Sequence, residues 1–291
     1  MFRFLTRSNN AVMLQLSLSK IPDELWLDYL LHEKEIPVRY KDIIPEMPSE
    51  KVQLHLTGAS GRVSLLQSLD FFNLAQIYIP KQKTKERIGQ KLLDFGCGWG
   101  RITRMWLRLV PGRNIYAVDP MESMIDLCKE TIPDVHFYLT DPEPPIPVFE
   151  NGMFDFLTAY SVFSHLNETY LHLWFEEFSR LMKKNGLLFI TTRSRSFIAY
   201  LQELRVQNSY EDYETSLKDC FVDIDTAFAE YDKGNIIHQA VGGGSLSNSF
   251  YGETCVPLAY FSRFNIDFEI LGFVPEMKYE NNQACVIMRK K

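Results

Sequence analysis

The chain has 291 residues, of which 46% are hydrophobic and 23% are charged, and these proportions disfavour disorder over most of the chain. Its 31 basic and 37 acidic residues give a net charge of -6, which disfavours nucleic acid as a partner because phosphate recognition uses a basic excess. No stretch approaches the ~20 apolar residues needed to span a membrane, and no signal-peptide cleavage pattern follows the N-terminal segment, so we expect a cytoplasmic protein.

The five cysteines are odd in number, widely spaced and free of C-x-x-C pairs. This pattern predicts reduced thiols rather than a disulfide framework or a zinc site. The histidines are scattered without ligand spacing, so we expect no metal.

The first 90 residues contain two segments with helical apolar spacing. One, DELWLDYLLHE, follows Pro22, and the other, RVSLLQSLDFFNLAQIYI, follows Gly61. A Pro-rich connector separates them, and the polar residues 81–90 form a linker or a helix end. The spacing predicts helices that pack on the domain that follows.

Residues 91–193 alternate short apolar strands with amphipathic helices. The predicted strands are KLLDF, NIYAVD, VHFYL, FDFLTAY and LLFITTR, and the predicted helices are ITRMWLRLV, MESMIDLCKETI and a longer one that Asn167 caps. We expect that longer helix to close in LMKKNG, with lysines in its last turn and Gly186 just beyond. The alternation predicts an α/β fold with a mostly parallel sheet covered on both faces.

Residues 194–291 are less regular. FIAYLQELRV is helical in period, an acidic stretch runs from Tyr210 to Asp232, and VGGGSLSNSFYG is rich in Gly and Ser. FNIDFEILGF and ACVIMRK predict two final strands.

The segment LLDFGCGWGR combines a predicted strand, a glycine-rich turn and the start of a helix. Gly96, Gly98 and Gly100 let the backbone turn sharply and approach a ligand, and the helix N-terminus adds N–H donors. A dinucleotide fingerprint needs Gly or Ala where this chain has Arg101, and Asp94 would lie near a bound pyrophosphate. The loop therefore favours a cationic ligand without phosphate, and S-adenosylmethionine (SAM) has that character.

The ends of the next two strands supply further candidate cofactor contacts. Asp119 ends the second strand, where an acid can accept both ribose hydroxyls. Pro120 and Met121 can flank the adenine, and Asp141, after the third strand, can accept a hydrogen bond from the adenine amino group. The alternative for these acids is loop capping, since D-P is a common turn opener.

Three more residues belong to the candidate cofactor site. Tyr160 and Ser161 end the fourth strand, with ordinary loop packing as the alternative to cofactor contact. Cys97 lies inside the glycine loop, where a small residue that fills a tight turn is favoured over a nucleophile.

LLDFGCGWGRITR, IYAVDPMESMI, FDFLTAYSVFSHL and LMKKNGLLFITT resemble successive motifs of the class I SAM-dependent methyltransferases. SVFSHL, LMKKNG and YGETCVPLAYF resemble a small-molecule subgroup, with members in pathways for sugars, polysaccharides or secondary metabolites. The resemblance implies a Rossmann-like, mostly parallel seven-stranded sheet with an antiparallel C-terminal hairpin. It also implies an N-terminal helical cap or substrate lid over residues 1–90, and a methyltransferase domain over residues 91–291 with an insertion at about 194–250.

Methyl transfer requires the acceptor, the methyl group and the sulfur in line, water excluded and, where needed, a proton removed. His165 follows the fourth strand and is the candidate base, with ordering of the helix start at Asn167 as the alternative. Tyr251 and Glu253 are candidates for the substrate side, and His238 lies in a distant polar segment.

We therefore expect methyl transfer from SAM to an oxygen or nitrogen of a small molecule. The alternatives are a methyltransferase that acts on a protein or glycan, and a non-catalytic SAM-binding regulatory protein. An NAD oxidoreductase is a further alternative, which Arg101 disfavours.

Overall fold

The chain divides into two compact units. The structure, a computed structural model, describes residues 12–80, 88–207, 217–241, 247–264, 266–279 and 282–291. The first unit takes in the described residues up to Thr140 together with Phe154–Phe156, and the second takes in the remaining described residues. Parts of the predicted linker, of the acidic stretch and of the Gly-Ser segment (81–87, 208–216 and 242–246) lie outside the described residues.

The first unit combines N-terminal helices with parallel strands. Its elements are α1 (12–18), α2 (Asp23–Leu30), α3 (Glu50–Thr57), α4 (Gly61–Tyr78), β1 (Leu92–Phe95), α5 (Arg101–Trp106), β2 (Ile115–Asp119), α6 (Glu122–Thr131), β3 (His136–Leu139), the first residues of β4 (Phe154–Ala159), and 3₁₀ turns at Val38–Tyr40 and Gly112–Asn114. The strand order is β3-β2-β1-β4. Both β1 with β2 and β2 with β3 pair in parallel, with Leu93 opposite Tyr116 and Tyr116 opposite His136.

The strands and the N-terminal helices of this unit share one apolar core. All four residues of β1 are buried, as expected for a parallel strand covered on both faces. The Phe72 ring of α4 packs edge-on against Trp106 at 5.6 Å, and Trp106 packs on Phe156 at 5.5 Å. The apolar spacing in the first 90 residues therefore predicted the packing of α4 correctly.

Buried arginines on α5 and the turn after it hold the N-terminal segments in place. Each guanidinium donates to one of these segments: Arg101 Nη1 to Gln67 Oε1 at 2.9 Å, Arg104 Nη2 to the Glu46 carbonyl at 2.6 Å, and Arg108 Nη2 to the Ile21 carbonyl at 2.7 Å. A buried cation needs such partners to offset its lost hydration, so these contacts fix the path of the chain against α5.

The second unit contains the longest strand, β5. Its elements are the rest of β4, α7 (Glu168–Leu181), β5 (Met182–Arg193), α8 (Arg195–Leu204), α9 (Ile224–Asp232), β6 (Ile237–Gln239), β7 (Glu253–Cys255), α10 (Leu258–Phe261), a 3₁₀ turn at Ser262–Phe264, β8 (Phe268–Val274) and β9 (Gln283–Lys290). The strand order is β4-β5-β7-β6. Strand β9 pairs antiparallel with both β5 and β8. The predicted antiparallel C-terminal hairpin is confirmed.

Helix α7 begins as predicted and ends earlier than predicted. The Asn167 side chain accepts the N–H of Tyr170 at 3.0 Å, so it is the expected N-cap. The helix stops at Leu181 because Met182 takes an extended conformation, with ψ of 142°. The lysines of LMKKNG therefore lie in β5 rather than in the last helical turn, and the prediction of their position was wrong.

Within the described residues the sheet has nine strands rather than the expected seven. The additional pair, β6 and β7, is antiparallel, and Arg193 of β5 lies opposite Cys255 of β7 in parallel register. The sequences of these two strands, IHQ and ETC, are three residues each. A three-residue strand is too short to show the period-two apolar pattern that identifies strands from sequence.

Part of the predicted insertion carries an apolar cluster of its own. The cluster is formed by Phe197, Ile198, Leu201, Leu204, Leu217, Cys220, Phe221, Ile224, Ala227 and Cys255. Helices α8 and α9 are therefore held to this unit by burial of their apolar faces. Of the helices described here, none combines the length and apolar character that crossing a bilayer requires.

Candidate functional site

The loop between β1 and α5 turns at three glycines. Gly96, Gly98 and Gly100 have φ of +69°, +51° and +78°, in the left-handed region that favours glycine. The start of the loop is tied to the end of β2, because the N–H groups of Gly96 and Cys97 donate to the Val118 carbonyl at 2.9 and 3.0 Å. The glycine turn expected from the sequence is thus formed at the carboxyl end of β1.

Gly98 and Gly100 need glycine for different reasons. A Cβ on Gly98 would meet no protein atom within 4 Å, so this backbone faces space that a ligand can enter. A Cβ on Gly100 would lie 2.5 Å from Ile132 Cδ1 and 3.2 Å from Cys128 Sγ, so the end of α6 packs against this glycine. Close ligand approach and close helix packing are the two roles that glycines have in nucleotide-binding loops.

Asp119 joins the end of β2 to the glycine loop. Its Oδ2 accepts the N–H of Gly98 at 2.8 Å, and its Oδ1 accepts the N–H of Met121 at 2.9 Å. Burial raises the pKa of Asp119, and the two backbone hydrogen bonds oppose that shift. A largely buried carboxylate therefore lies next to Gly98, where its remaining acceptor capacity suits hydroxyl groups.

The other predicted acid of this unit is more deeply buried. Asp94 is 1% exposed, and its Oδ2 accepts a hydrogen bond from Thr103 Oγ1 at 2.5 Å. This hydrogen bond links β1 to α5. Because the carboxylate is buried, Asp94 contributes its negative charge to the site but no exposed contact surface. Pro120 and Met121 are half-buried, and Met121 is the N-cap residue of α6.

Cys97 is a buried thiol within the loop. The pKa of Cys97 is raised well above its ordinary value. The largest cause is a hydrogen bond with Cys128, and the second is burial of the thiol. A thiol that stays protonated is a poor nucleophile, so the chemistry of the loop lies in its backbone. None of the five cysteines, all of which lie within the described residues, is in a disulfide.

Sequence reasoning missed Arg104, a residue of α5 that binds the glycine loop between β1 and α5. Its guanidinium donates to the Trp99 carbonyl and to Thr131 Oγ1, and it lies 5.2 Å from the centre of the Trp99 ring. Burial lowers the pKa of Arg104 to about 10, so it stays charged at neutral pH. The available signal was the helical spacing of Arg101, Arg104 and Arg108, which places all three on one face.

In the second unit, Tyr160 and Ser161 follow β4 directly. Ser161 has φ of +58°, an uncommon conformation for a residue other than glycine and one that clusters at functional sites. Its N–H donates to Thr191 Oγ1 at 2.7 Å, and Gln283 Nε2 donates to its Oγ at 3.2 Å. The turn is thus fixed by side chains, while cofactor contact by Tyr160 and Ser161 stays a prediction.

Asp141 belongs to the second unit and lies in the loop after β3. It lines a cavity of about 590 Å³ together with Glu143, Tyr170, Ser249 and Phe250. Its predicted hydrogen bond to adenine stays a prediction.

His165 is held by the segment that precedes β7. Its Nδ1 lies 2.9 Å from the Gly252 carbonyl, and its ring stacks on Tyr251 at 4.8 Å with an interplanar angle of 4°. A carbonyl can only accept, so Nδ1 carries the proton and Nε2 carries the lone pair. This is the tautomer in which Nε2 can take a proton from an acceptor.

A buried ion pair lies next to this imidazole. Glu253 Oε1 is 3.7 Å from His165 Nδ1, and Glu253 Oε2 accepts from Arg193 Nε at 3.0 Å. His238 Nδ1 lies 2.8 Å from Thr254 Oγ1, and burial lowers the pKa of His238. In the sequence, Glu253, Tyr251 and His165 are separate candidates. The structure places Glu253 and Tyr251 next to His165.

Arg193 was not singled out from the sequence. It ends the apolar run LLFITTR, and a cation at the carboxyl end of a buried parallel strand was the signal that could have identified it.

A glycine loop after β1 and an acid at the end of β2, in a mostly parallel sheet, define the Rossmann-like class of α/β folds. Two solved structures share the fold. A protein from Pyrococcus horikoshii OT3 aligns with a TM-score of 0.50 and 16% identity, over 78% of this chain and 90% of that one. A candidate S-adenosylmethionine dependent methyltransferase from Listeria monocytogenes aligns with a TM-score of 0.51 and 13% identity, over 77% and 99%.

Residues 93–190 match the family described as "Methyltransferase domain". A ubiquinone biosynthesis O-methyltransferase from Pelagibacter ubique is 27% identical over 115 residues, which are 38% of this chain and 45% of that relative. A malonyl-[acyl-carrier protein] O-methyltransferase from Bacillus cytotoxicus is 31% identical over 109 residues, 37% of each protein. The matches thus span less than half of either relative. Residues 93–190 of this chain are therefore a methyltransferase domain of the class I, SAM-dependent kind that the sequence motifs resemble.

Replacing Gly100 by alanine tests the packing role of this glycine. Gly100→Ala should lower the free energy of unfolding by about 1–3 kcal/mol more than Gly152→Ala, because both force alanine into the left-handed region but only the first also crowds α6. Gly152 has φ of +62° with no atom within 4 Å of its Cβ position, which makes it the matched control. Urea unfolding measures both. Equal losses would show that Gly100 is needed for backbone conformation alone.

Proposed function

We propose that this protein is a SAM-dependent methyltransferase that methylates an oxygen or a nitrogen of a small molecule. The observation that carries the proposal is the pairing of Gly98, whose Cβ position faces open space, with the buried carboxylate of Asp119 at 2.8 Å from its N–H. The pairing offers backbone approach and a hydroxyl acceptor at the same point of the first unit.

The residues of this loop fit SAM better than a dinucleotide. Asp119 is suited to the ribose hydroxyls, and the buried charge of Asp94 favours the ammonium group. In a dinucleotide fold the position of Arg101 is Gly or Ala, which allows close helix packing. In this chain the Arg101 side chain is buried and donates a hydrogen bond to Gln67. The position therefore serves packing against the N-terminal helices.

Bound SAM supplies a methyl group activated by its sulfonium. The chain has to hold an acceptor, exclude water and receive the acceptor's proton. We propose that His165 is the general base of the second unit, acting through Nε2, because its Nδ1 hydrogen bond to Gly252 sets the required tautomer.

The choice of an oxygen acceptor over nitrogen is supported by the names of the two relatives, both of which are O-methyltransferases.

We also propose the helices over residues 12–80 as the cap on the substrate side, supported by their packing within the first unit. The five cysteine thiols, which form no disulfide, fit a cytoplasmic location, where thiols are kept reduced.

The direct test is incubation of the protein with methyl-labelled SAM and a fractionated metabolite extract, followed by identification of the labelled product. A labelled small molecule supports the proposal. Label transferred only to protein or glycan, or tight SAM binding without any transfer, contradicts it.

Gly98→Val should abolish SAM binding, because a branched side chain would occupy the space that the ligand needs. Gly58→Val is the matched control, since Gly58 also has positive φ and open space around its Cβ position and lies in the same unit. We expect comparable losses of stability and loss of calorimetric SAM binding in Gly98→Val alone. Unchanged SAM affinity in Gly98→Val would place the cofactor elsewhere.

Asp119→Ala should weaken SAM binding by about 1.5–3 kcal/mol, the scale of hydrogen bonds to a charged group. Asp155→Ala is the control, because Asp155 also accepts a backbone N–H in this unit, that of Lys91 at 2.8 Å. NAD should not bind the parent protein at millimolar levels, and saturable NAD binding that competes with SAM would overturn the cofactor assignment.

The pKa of Asp119 also fixes the sign of a pH effect. Because burial raises this pKa, the folded protein takes up the proton at a higher pH than an ordinary Asp does. Ribose hydroxyls donate to the ionised form. SAM affinity in the parent should therefore fall on acidification before an ordinary Asp would titrate, and Asp119→Ala should lack this step.

His165→Asn should leave SAM affinity nearly unchanged and lower turnover about 10²–10⁴-fold, since Asn forms hydrogen bonds but cannot take a proton at neutral pH. His172→Asn is the control, because His172 is another hydrogen-bonded histidine of this unit, 2.8 Å from the Tyr260 hydroxyl. Turnover is measured at saturating acceptor. Full turnover in His165→Asn would remove His165 from the mechanism and leave catalysis to positioning.

A further inference from the structure

His165, Glu253 and Arg193 form a continuous series of contacts in the second unit. Glu253 is 4% exposed and lies between the other two, 3.7 Å from His165 Nδ1 and 3.0 Å from Arg193 Nε. Burying an ion pair costs much of what the Coulomb attraction gains, and apolar side chains of similar volume often serve stability equally well. Stability alone therefore gives no reason for this pair to lie beside an imidazole.

We propose that Glu253 is the positioning residue for His165: its charge lies beside the imidazole that the Gly252 carbonyl orients, and it stabilises the protonated form of the ring. The inference rests on the proposed function, in which His165 is the general base. When Nε2 takes the proton of the acceptor hydroxyl or amine, the acceptor atom would keep the electron pair that forms the bond to methyl. The carbon–sulfur bond of the sulfonium would break at the same time, and its electron pair would stay on the sulfur as a neutral thioether. The ring is then a cation with Nδ1–H still directed at Gly252, and it later releases its proton to solvent.

The two oxygens of Glu253 have separate tasks. Oε2 accepts from Arg193 Nε, which fixes the rotation of the carboxylate. Oε1 is the oxygen that faces the ring, at a distance longer than a hydrogen bond. It thus adds negative charge near Nδ1 without competing with Gly252 for the proton.

Three further groups lie around His165 and Glu253, and they differ in their effect on the ring. Tyr251 stacks on the ring and is uncharged at neutral pH. His238, on the neighbouring β6, has its pKa lowered by burial and so adds no positive charge at neutral pH. Arg193 offsets part of the Glu253 charge, so the net effect on the ring is moderate.

The test replaces the charge and keeps the shape. Glu253→Gln can still accept from Arg193, so the fold should persist. The midpoint of the His165 ring titration, followed by NMR, should move to lower pH by about one pH unit, since a carboxylate within a few ångströms favours the cation. The acid limb of the pH–kcat/KM profile should move in the same direction. Turnover should fall about 10-fold, which corresponds to a change of one pKa unit in the stability of the protonated ring, with SAM affinity unchanged.

Two further variants separate positioning from general charge effects. Glu253→Asp keeps the charge, so it should restore the titration midpoint and part of the turnover. Asp232→Asn breaks an exposed Arg195 Nε–carboxylate pair of the same kind, 2.8 Å long, and should change neither. A His165 midpoint that stays unchanged in Glu253→Gln, or that moves equally in Asp232→Asn, overturns the proposal.

The NMR titration does not depend on activity. If the parent transfers no methyl group, the proposed function fails, and a shifted midpoint still supports the coupling of Glu253 to His165. If the midpoint shifts but His165→Asn keeps full turnover, the coupling holds and the role of His165 as the base is overturned.

Discussion

The hydrogen bonds that Gly98 and Met121 donate to Asp119 are the constraint on which the rest of the candidate cofactor site depends. A carboxylate only accepts, so it can satisfy two converging backbone N–H groups, whereas an amide would turn a donor toward one of them. The buried charge is tolerated because these bonds oppose its desolvation. With the end of β2 fixed in this way, the left-handed turn at Gly98 keeps its backbone toward open space.

The two units use buried charge differently. In the first unit, arginines on one helix face bind backbone carbonyls and a glutamine, so the cations act as clamps between chain segments. In the second unit, Arg193 binds a carboxylate that in turn faces an imidazole. Arg108 of the first set also pairs with the partly exposed carboxylate of Asp23 at 2.8 Å, whereas the carboxylate that Arg193 binds is buried and lies beside an imidazole.

The sequence was sufficient for the glycine loop because left-handed glycines and a strand-end acid leave a local signature. It was also sufficient for the Asn167 cap, where a side chain binds a backbone group three residues away. It was not sufficient for β6 and β7, whose three-residue strands carry no periodic pattern. The network around His165 was predictable only in part, since Glu253 and Arg193 are 60 residues apart along the chain and meet only through strand pairing.

The arginine clamps have a thermodynamic consequence for the N-terminal helices. The face of α5 that carries Arg101 and Arg104 begins one residue after Gly100, so the glycine loop and the segments around Gln67 and Glu46 share one support. A ligand that binds only the folded loop stabilises whatever must remain folded with it, by about 2.7 kcal/mol at a hundredfold excess over its dissociation constant. Local opening of those helices would then become rarer with ligand bound, and amide hydrogens far from the loop would exchange more slowly. The helices over residues 12–80 would in this sense report the occupancy of the glycine loop.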